Sequence, residues 1–268
     1  MLTEIVKDYA AMSSAAASLV YGEVMRRLGK GERCNLGLAT GNTPIRLYEE
    51  LAEKLNAAQA DLSLLSTWNL DEYAVDERTA VAVSHPLSYR RFMEERLFSK
   101  LDARLGFDLR NAHFPDPADP SAYDGEIAAA GGLDLQLLGI GFNGHIAFNE
   151  PMGEDEISVE AFGRLPTRVL PLSAETIAQN TAVTAGGDAS LVPRFAATMG
   201  MAPILAARKC LLLACFAEQE KPLCAILARG GRPTPLLPAS YLWRHPDFRL
   251  VYTADKIALP GCGSARSA

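Results

Sequence analysis

Short apolar runs recur along this chain at wide intervals, separated by longer segments of helical period, and few architectures accept that pattern. The runs Cys34 to Ala39, Leu64 to Leu70, Leu133 to Gly139, Cys210 to Phe216 and Phe248 to Tyr252 read as strands, with a further strand near Arg168 to Leu172. Between them, Tyr9 to Leu28 reads as an Ala-rich helix ended by Gly29. Other helices are expected from about Ile45 to Leu55, from the polar loop at His85 and Pro86 through Phe98, and over Lys221 to Arg229. Such alternation is that of a parallel sheet covered by helices on both sides. The expected fold is α/β: a doubly wound, mostly parallel sheet with helices on both faces, in three layers. A chain of 268 residues that is 49% hydrophobic can bury one large core or two small ones. One domain over residues 1–259 is the preferred reading. Residues 260–268, rich in Gly, Ser and Ala, are expected to fray because they carry too few apolar groups to dock.

The formal net charge of −6, with no block of Lys or Arg to oppose it, gives no attraction to nucleic acid. An anionic ligand would have to be held by a local site. The first eight residues, Met1 to Asp8, carry acids where a secretory signal needs a basic flank, and no apolar run approaches the roughly 20 residues of a membrane span. A cytoplasmic protein without membrane contact is expected. Five cysteines (Cys34, Cys210, Cys215, Cys224 and Cys262) lack the paired spacing of a zinc site or redox pair. Cys34, Cys210 and Cys215 lie in or beside strand runs and read as buried free thiols.

Three polar segments follow directly on expected strands, which is where open α/β sheets place ligands. In the first, Thr40, Gly41, Asn42 and Thr43 open a helix, so their N–H groups could cradle a phosphate at the positive end of the helix dipole. The same residues also satisfy an ordinary turn with Thr43 as N-cap and Pro44 at the first helical position. Neither a Walker A loop nor a G-x-G-x-x-G string is present. In the second, Asn69 to Tyr73, two adjacent acids sit at a strand end. Successive side chains there point to opposite sides, so only one of Asp71 and Glu72 can face a given pocket. A carboxylate so placed, with its pKa tuned upward, can take a carbon-bound proton; a solvated acidic turn is the alternative.

The third segment, Asn143 to Pro151, is the sharpest signal, because it puts a glycine-rich turn, a His, two Asn and a carboxylate within nine residues. His145 is suited to passing protons near neutral pH, and a carboxylate that orients its ring would complete a relay. His85, His113 and His245 read as structural or solvated. Arg46, Arg208, Lys209 and Lys221 are candidate phosphate cations, though each also reads as a solvated surface group.

Taken in order, Leu38 to Pro44, Asn69 to Tyr73, His85 to Tyr89 and Gly144 to Pro151 resemble the glucosamine-6-phosphate deaminase (isomerase) family. The similarity continues through Thr167-Arg168, Val192-Pro193, Thr198-Met199-Gly200 and Pro238-Ala239-Ser240, and its most specific part is the string G-H-I-A-F-N-E-P. The resemblance implies a Rossmann-like fold. It also implies conversion of a hexosamine 6-phosphate to a ketohexose 6-phosphate plus ammonia, with no metal and no organic cofactor. Asp71 would be the enolisation base and His145 the ring-opening acid/base, assisted by Asn143 and Glu150. Thr40, Gly41, Asn42 and Thr43 would cradle the phosphate, with Lys221 near the family's phosphate Lys but one position out of register. The implied partner is a small sugar phosphate, with homo-oligomerisation left open.

The chain also departs from the family pattern. Position 143 is Asn where many members carry Asp, a variant that also occurs within the family. By register from Thr167-Arg168 through Asn180, the Arg that clamps phosphate in the glucosamine enzymes falls on Ala182. The related galactosamine-6-phosphate isomerases likewise lack that Arg, and Pro238 to Trp243 is similar to their segment there, so both amino sugars stay open as substrates. The loop between Tyr73 and His85 is longer than usual, and no residues match an allosteric amino-sugar site. Two rival readings are a 6-phosphogluconolactonase-type hydrolase, whose motif resembles Asp76-Glu77-Arg78, and a non-catalytic sugar-phosphate-sensing domain. The first expects a G-H-T-A-S-L-type string after Gly144, and the second has no need of Asp71, His145 and Glu150 together.

Overall fold

The structure is a computed structural model that describes residues 2–259; Cys262 and the expected tail lie outside them. In chain order the elements are β1 (Leu2–Val6), α1 (Tyr9–Leu28), β2 (Cys34–Leu38), α2 (Ile45–Ala57), β3 (Leu65–Asn69), β4 (Asp71–Asp76), β5 (Thr79–Ala80), α3 (Tyr89–Arg96), β6 (Ala112–His113) and α4 (Pro120–Ala129). They continue with β7 (Leu135–Gly139), α5 (Val159–Gly163), β8 (Arg168–Pro171), α6 (Ala174–Val183), β9 (Phe195–Thr198), α7 (Met201–Leu205), β10 (Cys210–Ala214), α8 (Glu220–Ala228) and β11 (Phe248–Thr253).

Seven strands form a parallel sheet in the order β1-β11-β10-β7-β2-β3-β6. Its inner strands are apolar on both sides because both sides are covered. Leu36, Leu38, Leu211 and Leu213 pack against Met12, Val20 and Val24 of α1 and Leu47, Leu51 and Leu55 of α2. On the opposite face Trp68, Leu138, Leu212 and Leu250 meet Ile127 of α4, Phe162 of α5, Ile204 of α7 and Leu223 and Ile226 of α8. Each fully buried Leu in these layers contributes roughly 1.5–3 kcal/mol of transfer free energy. The expected three-layer α/β fold is therefore present. From β2 the chain steps outward through β3 to β6, then returns to β7 and builds in the other direction through β10 to β11. The order reverses between β2 and β7, and a doubly wound sheet opens a crevice at such a reversal.

A second, antiparallel sheet, β5-β4-β9-β8, was not expected from the sequence. β4 begins one residue after β3 ends, so a single apolar run followed by acids conceals two strands. The strand expected near Arg168 is present but belongs to this sheet, and the expected polar loop after Tyr73 begins as the β4–β5 hairpin. The edge strands β1 and β6 were also missed. β6 carries His113, whose ring stacks on Trp68 with centroids 3.9 Å apart. Cys34, Cys210 and Cys215 are buried free thiols as expected, and Cys224 is half-buried and free; burial pushes the Cys34 thiol up to about 12. Among the described residues no helix is long and apolar enough to cross a membrane.

Candidate active site

At the reversal a cavity of about 180 Å³ lies over the carboxyl ends of β2, β3 and β7. Parts of the three segments singled out in the sequence meet here: Thr40 to Thr43 after β2, Asp71 after β3, and, of the Asn143 to Pro151 segment after β7, His145, Ala147 and Phe148, beside Ile140, Gly141 and Phe142. The first loop is held from below, where the Tyr48 hydroxyl donates to the Ala39 carbonyl at 2.5 Å, and from outside, where the Tyr9 hydroxyl donates to that of Asn42 at 3.2 Å. Gly41 sits at φ +97°, a conformation that glycine adopts without strain. Pro44, not Thr43, is the N-cap of α2, and no side chain caps this helix. The plain-turn reading with Thr43 as N-cap therefore does not describe the loop, and Thr43 lines the cavity instead.

The adjacent acids divide as strand geometry requires. Asp71 faces the cavity and is 7% exposed, whereas Glu72 is fully buried on the other side of β4. The Glu72 carboxylate accepts from the backbone N–H groups of Tyr73, Tyr89 and Arg90, each at 2.9 Å, and from the Ser88 hydroxyl at 3.2 Å. It thereby ties the start of α3 to β4, where a negative charge also suits the helix dipole. Burial pushes its carboxyl above the ordinary range despite those bonds. Asp71 stands directly across from Thr198 of β9. The Thr198 hydroxyl donates to Asp71 Oδ1 at 2.5 Å and accepts from the Phe148 N–H at 3.1 Å, so its proton can point only toward the carboxylate. Desolvation dominates over this bond and over the nearby His145, raising the Asp71 carboxyl from 3.8 to about 7.

His145 is held by a chain of side chains. Its Nδ1 lies 2.8 Å from Asn143 Oδ1, which also accepts the His145 backbone N–H at 3.1 Å. Asn143 Nδ2 donates to Glu150 Oε2 at 2.8 Å, and the Thr176 hydroxyl donates to Glu150 Oε1 at 2.5 Å. A carboxylate can only accept, so Glu150 fixes which way the Asn143 amide faces. The amide oxygen then fixes a proton on Nδ1, leaving Nε2 as the nitrogen that these side chains do not engage. Burial alone would raise the Glu150 carboxyl, but the His145 ring, Thr176 and Asn143 outweigh it and bring it to about 2. The ring lies flat against Gly141, where a Cβ would come 2.1 Å from His145 Cε1. Ala147, a non-glycine residue at φ +55°, also lines the cavity and places backbone strain within the site.

The remaining expected cations lie elsewhere. Lys221 lines a separate groove behind the Asn143–Glu150 pair, and Arg46 pairs with Glu50 at 2.8 Å on α2. Arg208 and Lys209, at the amino end of β10, pair with Asp134 and Glu23 at 3.1 and 2.7 Å. Asp76, Glu77 and Arg78 form an exposed hairpin turn that does not line the cavity. Two residues of the site had no role in the sequence reading. Thr198 was visible only as part of the T-M-G string, and Thr176 only as the third residue after the N-cap Ser173 of α6. Gln219 was also missed. It joins the ends of β10 and β7 by accepting from the N–H groups of Cys215 and Phe216 and donating to the Ile140 carbonyl at 2.8 Å.

The sequence profile of the family described as "Glucosamine-6-phosphate isomerases/6-phosphogluconolactonase" matches residues 7–150. A glucosamine-6-phosphate deaminase of Rhodopirellula baltica is 39% identical over 254 residues, covering 92% of this chain and 91% of its own. The chain belongs to this family. A second family member, glucosamine-6-phosphate deaminase 2 of Bacillus subtilis, is 36% identical with 92% of each chain covered. Among solved structures, a monomeric glucosamine-6-phosphate deaminase superposes with a TM-score of 0.81 at 27% identity, over 96% of this chain and 98% of that one. The 6-phosphogluconolactonase of Thermotoga maritima superposes at 0.68 with 20% identity, over 94% and 98%, which is a likeness of fold.

Proposed function

We propose that this protein converts a hexosamine 6-phosphate, of glucosamine or galactosamine, to a ketohexose 6-phosphate and ammonia in the cytoplasm. The observation that carries this reading is that Asp71, buried and poised at about 7, faces the same cavity as His145, whose Nδ1 proton is fixed. His145 Nε2 takes the proton of the anomeric hydroxyl and returns it to the ring oxygen as the bond between that oxygen and C1 breaks and the C1 aldehyde forms, and Asn143 and Glu150 hold the imidazole through that transfer. Asp71 then removes the C2 proton and delivers it to C1 while one N–H proton passes to the aldehyde oxygen, so that C1 becomes an alcohol carbon and the C2 amine an imine. Water adds at C2, ammonia leaves and the ketone remains. The Thr40 to Thr43 loop receives the phosphate. Deaminase relatives over most of the chain support the reaction, whereas the lactonases share the fold at 20% identity or less.

Ammonia release from glucosamine 6-phosphate and galactosamine 6-phosphate, measured beside hydrolysis of a 6-phospholactone, tests the reading. Turnover of at least one amino sugar is expected. Lactone hydrolysis without ammonia release from either sugar would overturn it.

A further inference from the structure

A sugar phosphate brings a dianion to a cavity whose lining includes the Asp71 carboxylate and neither Lys nor Arg. Backbone N–H groups at Gly41 and Asn42 can supply hydrogen bonds, but the charge still needs a cation within reach. Two neighbouring cavities contain one each. The groove behind His145 holds Lys221 together with the carboxylates of Glu150 and Glu175, so its lining is net negative, and it shares only Phe142 with the main cavity. The cleft between α3 and α6 holds Arg96 and no carboxylate, and it shares Gly41, Asn42, Tyr89 and Asn180 with the main cavity. The loop that would cradle phosphate is thus the wall between the main cavity and a cleft whose lining contains a guanidinium and no carboxylate.

The Arg96 side chain makes no hydrogen bond or salt bridge among the described residues; the adjacent Glu95 feels its charge but is held by Arg91 at 2.7 Å. The backbone that carries Arg96 is fixed, because Glu72 anchors the first turn of α3 to the strand that presents Asp71. A guanidinium also matches phosphate oxygens better than a point-charge ammonium.

We propose that Arg96, rather than Lys221, supplies the positive charge that holds the substrate phosphate, acting from the α3–α6 cleft across the Gly41–Asn42 loop. This rests on the sugar-phosphate reading above and names its anion-binding residue. The test compares Arg96→Gln, Arg96→Lys and Lys221→Gln in steady-state turnover of glucosamine 6-phosphate and galactosamine 6-phosphate, and in calorimetric binding of inorganic phosphate to the resting protein. A charged hydrogen bond to phosphate is worth about 10- to 100-fold in affinity. Arg96→Gln should raise KM and weaken phosphate binding by that factor with kcat within about twofold, and Arg96→Lys should recover most of the loss. The proposal falls if Arg96→Gln leaves both quantities unchanged, if Arg96→Lys recovers neither, or if Lys221→Gln has the larger effect. Absence of turnover in the unmodified protein would overturn the deaminase reading alone, since phosphate binding decides the cation independently of catalysis.

Discussion

Replacing Asp71 with Asn should make the protein more stable while abolishing its activity, and the gain should depend on pH. In the unfolded chain an aspartate ionises near 3.8, whereas folded Asp71 does so at about 7. Between those values the folded protein keeps a proton that the unfolded chain has released. The stability contributed by Asp71 is therefore full below about pH 4 and is lost as the pH rises through 7. At ~1.36 kcal/mol per pH unit the interval corresponds to about 4 kcal/mol. Discounted for water that reaches the cavity, this becomes ~2 kcal/mol. Asn has nearly the same shape and its Oδ1 can still accept from Thr198, so the substitution removes the buried charge and little else. At roughly 2–4 °C per kcal/mol for a protein of this size, Asp71→Asn should melt about 4–8 °C above the unmodified protein at pH 8.5, with less than half that gain at pH 5. Calorimetric melts at the two pH values provide the measurement, and exchange of the C2 proton, expected to fall at least about 100-fold, provides the functional control. A variant that melts below the unmodified protein at pH 8.5, or gains equally at both pH values, would refute the claim that Asp71 is a destabilised, poised carboxylate.

Other perturbations separate the parts of the site. Thr198→Val removes the one hydroxyl that lowers the Asp71 carboxyl, so the rising limb of kcat/KM against pH should move upward by about 0.5–1 pH unit, and an unmoved limb would dissociate Thr198 from the base. Gly141→Ala places a methyl 2.1 Å from His145 Cε1, and should lower kcat about 100-fold by displacing the ring while the melting temperature changes little; retained turnover would show that the ring position is not critical. Glu72→Ala leaves the first N–H groups of α3 without their buried acceptor and should cost about 2–4 kcal/mol in urea unfolding, whereas a loss below ~1 kcal/mol would contradict its anchoring role.

What could be read from the sequence depended on whether its cause was local. β2, β3, β7, β10 and β11 were visible because burial on both faces makes each a continuous apolar run, and the loops after β2, β3 and β7 were visible because polar residues follow those runs abruptly. β8 was read as a strand but not assigned to a second sheet, and β4 and β9 were missed, because only Leu70 separates β4 from β3 and β9 is a four-residue segment built on two alanines. Strand geometry offered Asp71 and Glu72 only as a choice and the family resemblance named Asp71; packing against α3 and β9 turns Asp71 toward the cavity and Glu72 away from it. Thr198 escaped notice because its role exists only through pairing with a residue 127 positions away. Lys221, one position out of the family's register in the sequence, lines a groove beside the Asn143–Glu150 pair that shares Phe142 with the main cavity.

The direct cross-strand pairing of Asp71 with Thr198 also bears on how the site could tolerate movement. Asp71 and its hydroxyl partner sit opposite each other on neighbouring strands of the small sheet, while His145 and the Thr40 to Thr43 loop follow strands of the large one. If the two sheets shift relative to each other as substrate arrives, the carboxylate travels with the group that tunes it. The spacing between Asp71 and a ligand over the large sheet can then change while the Thr198 hydrogen bond to the carboxylate is kept.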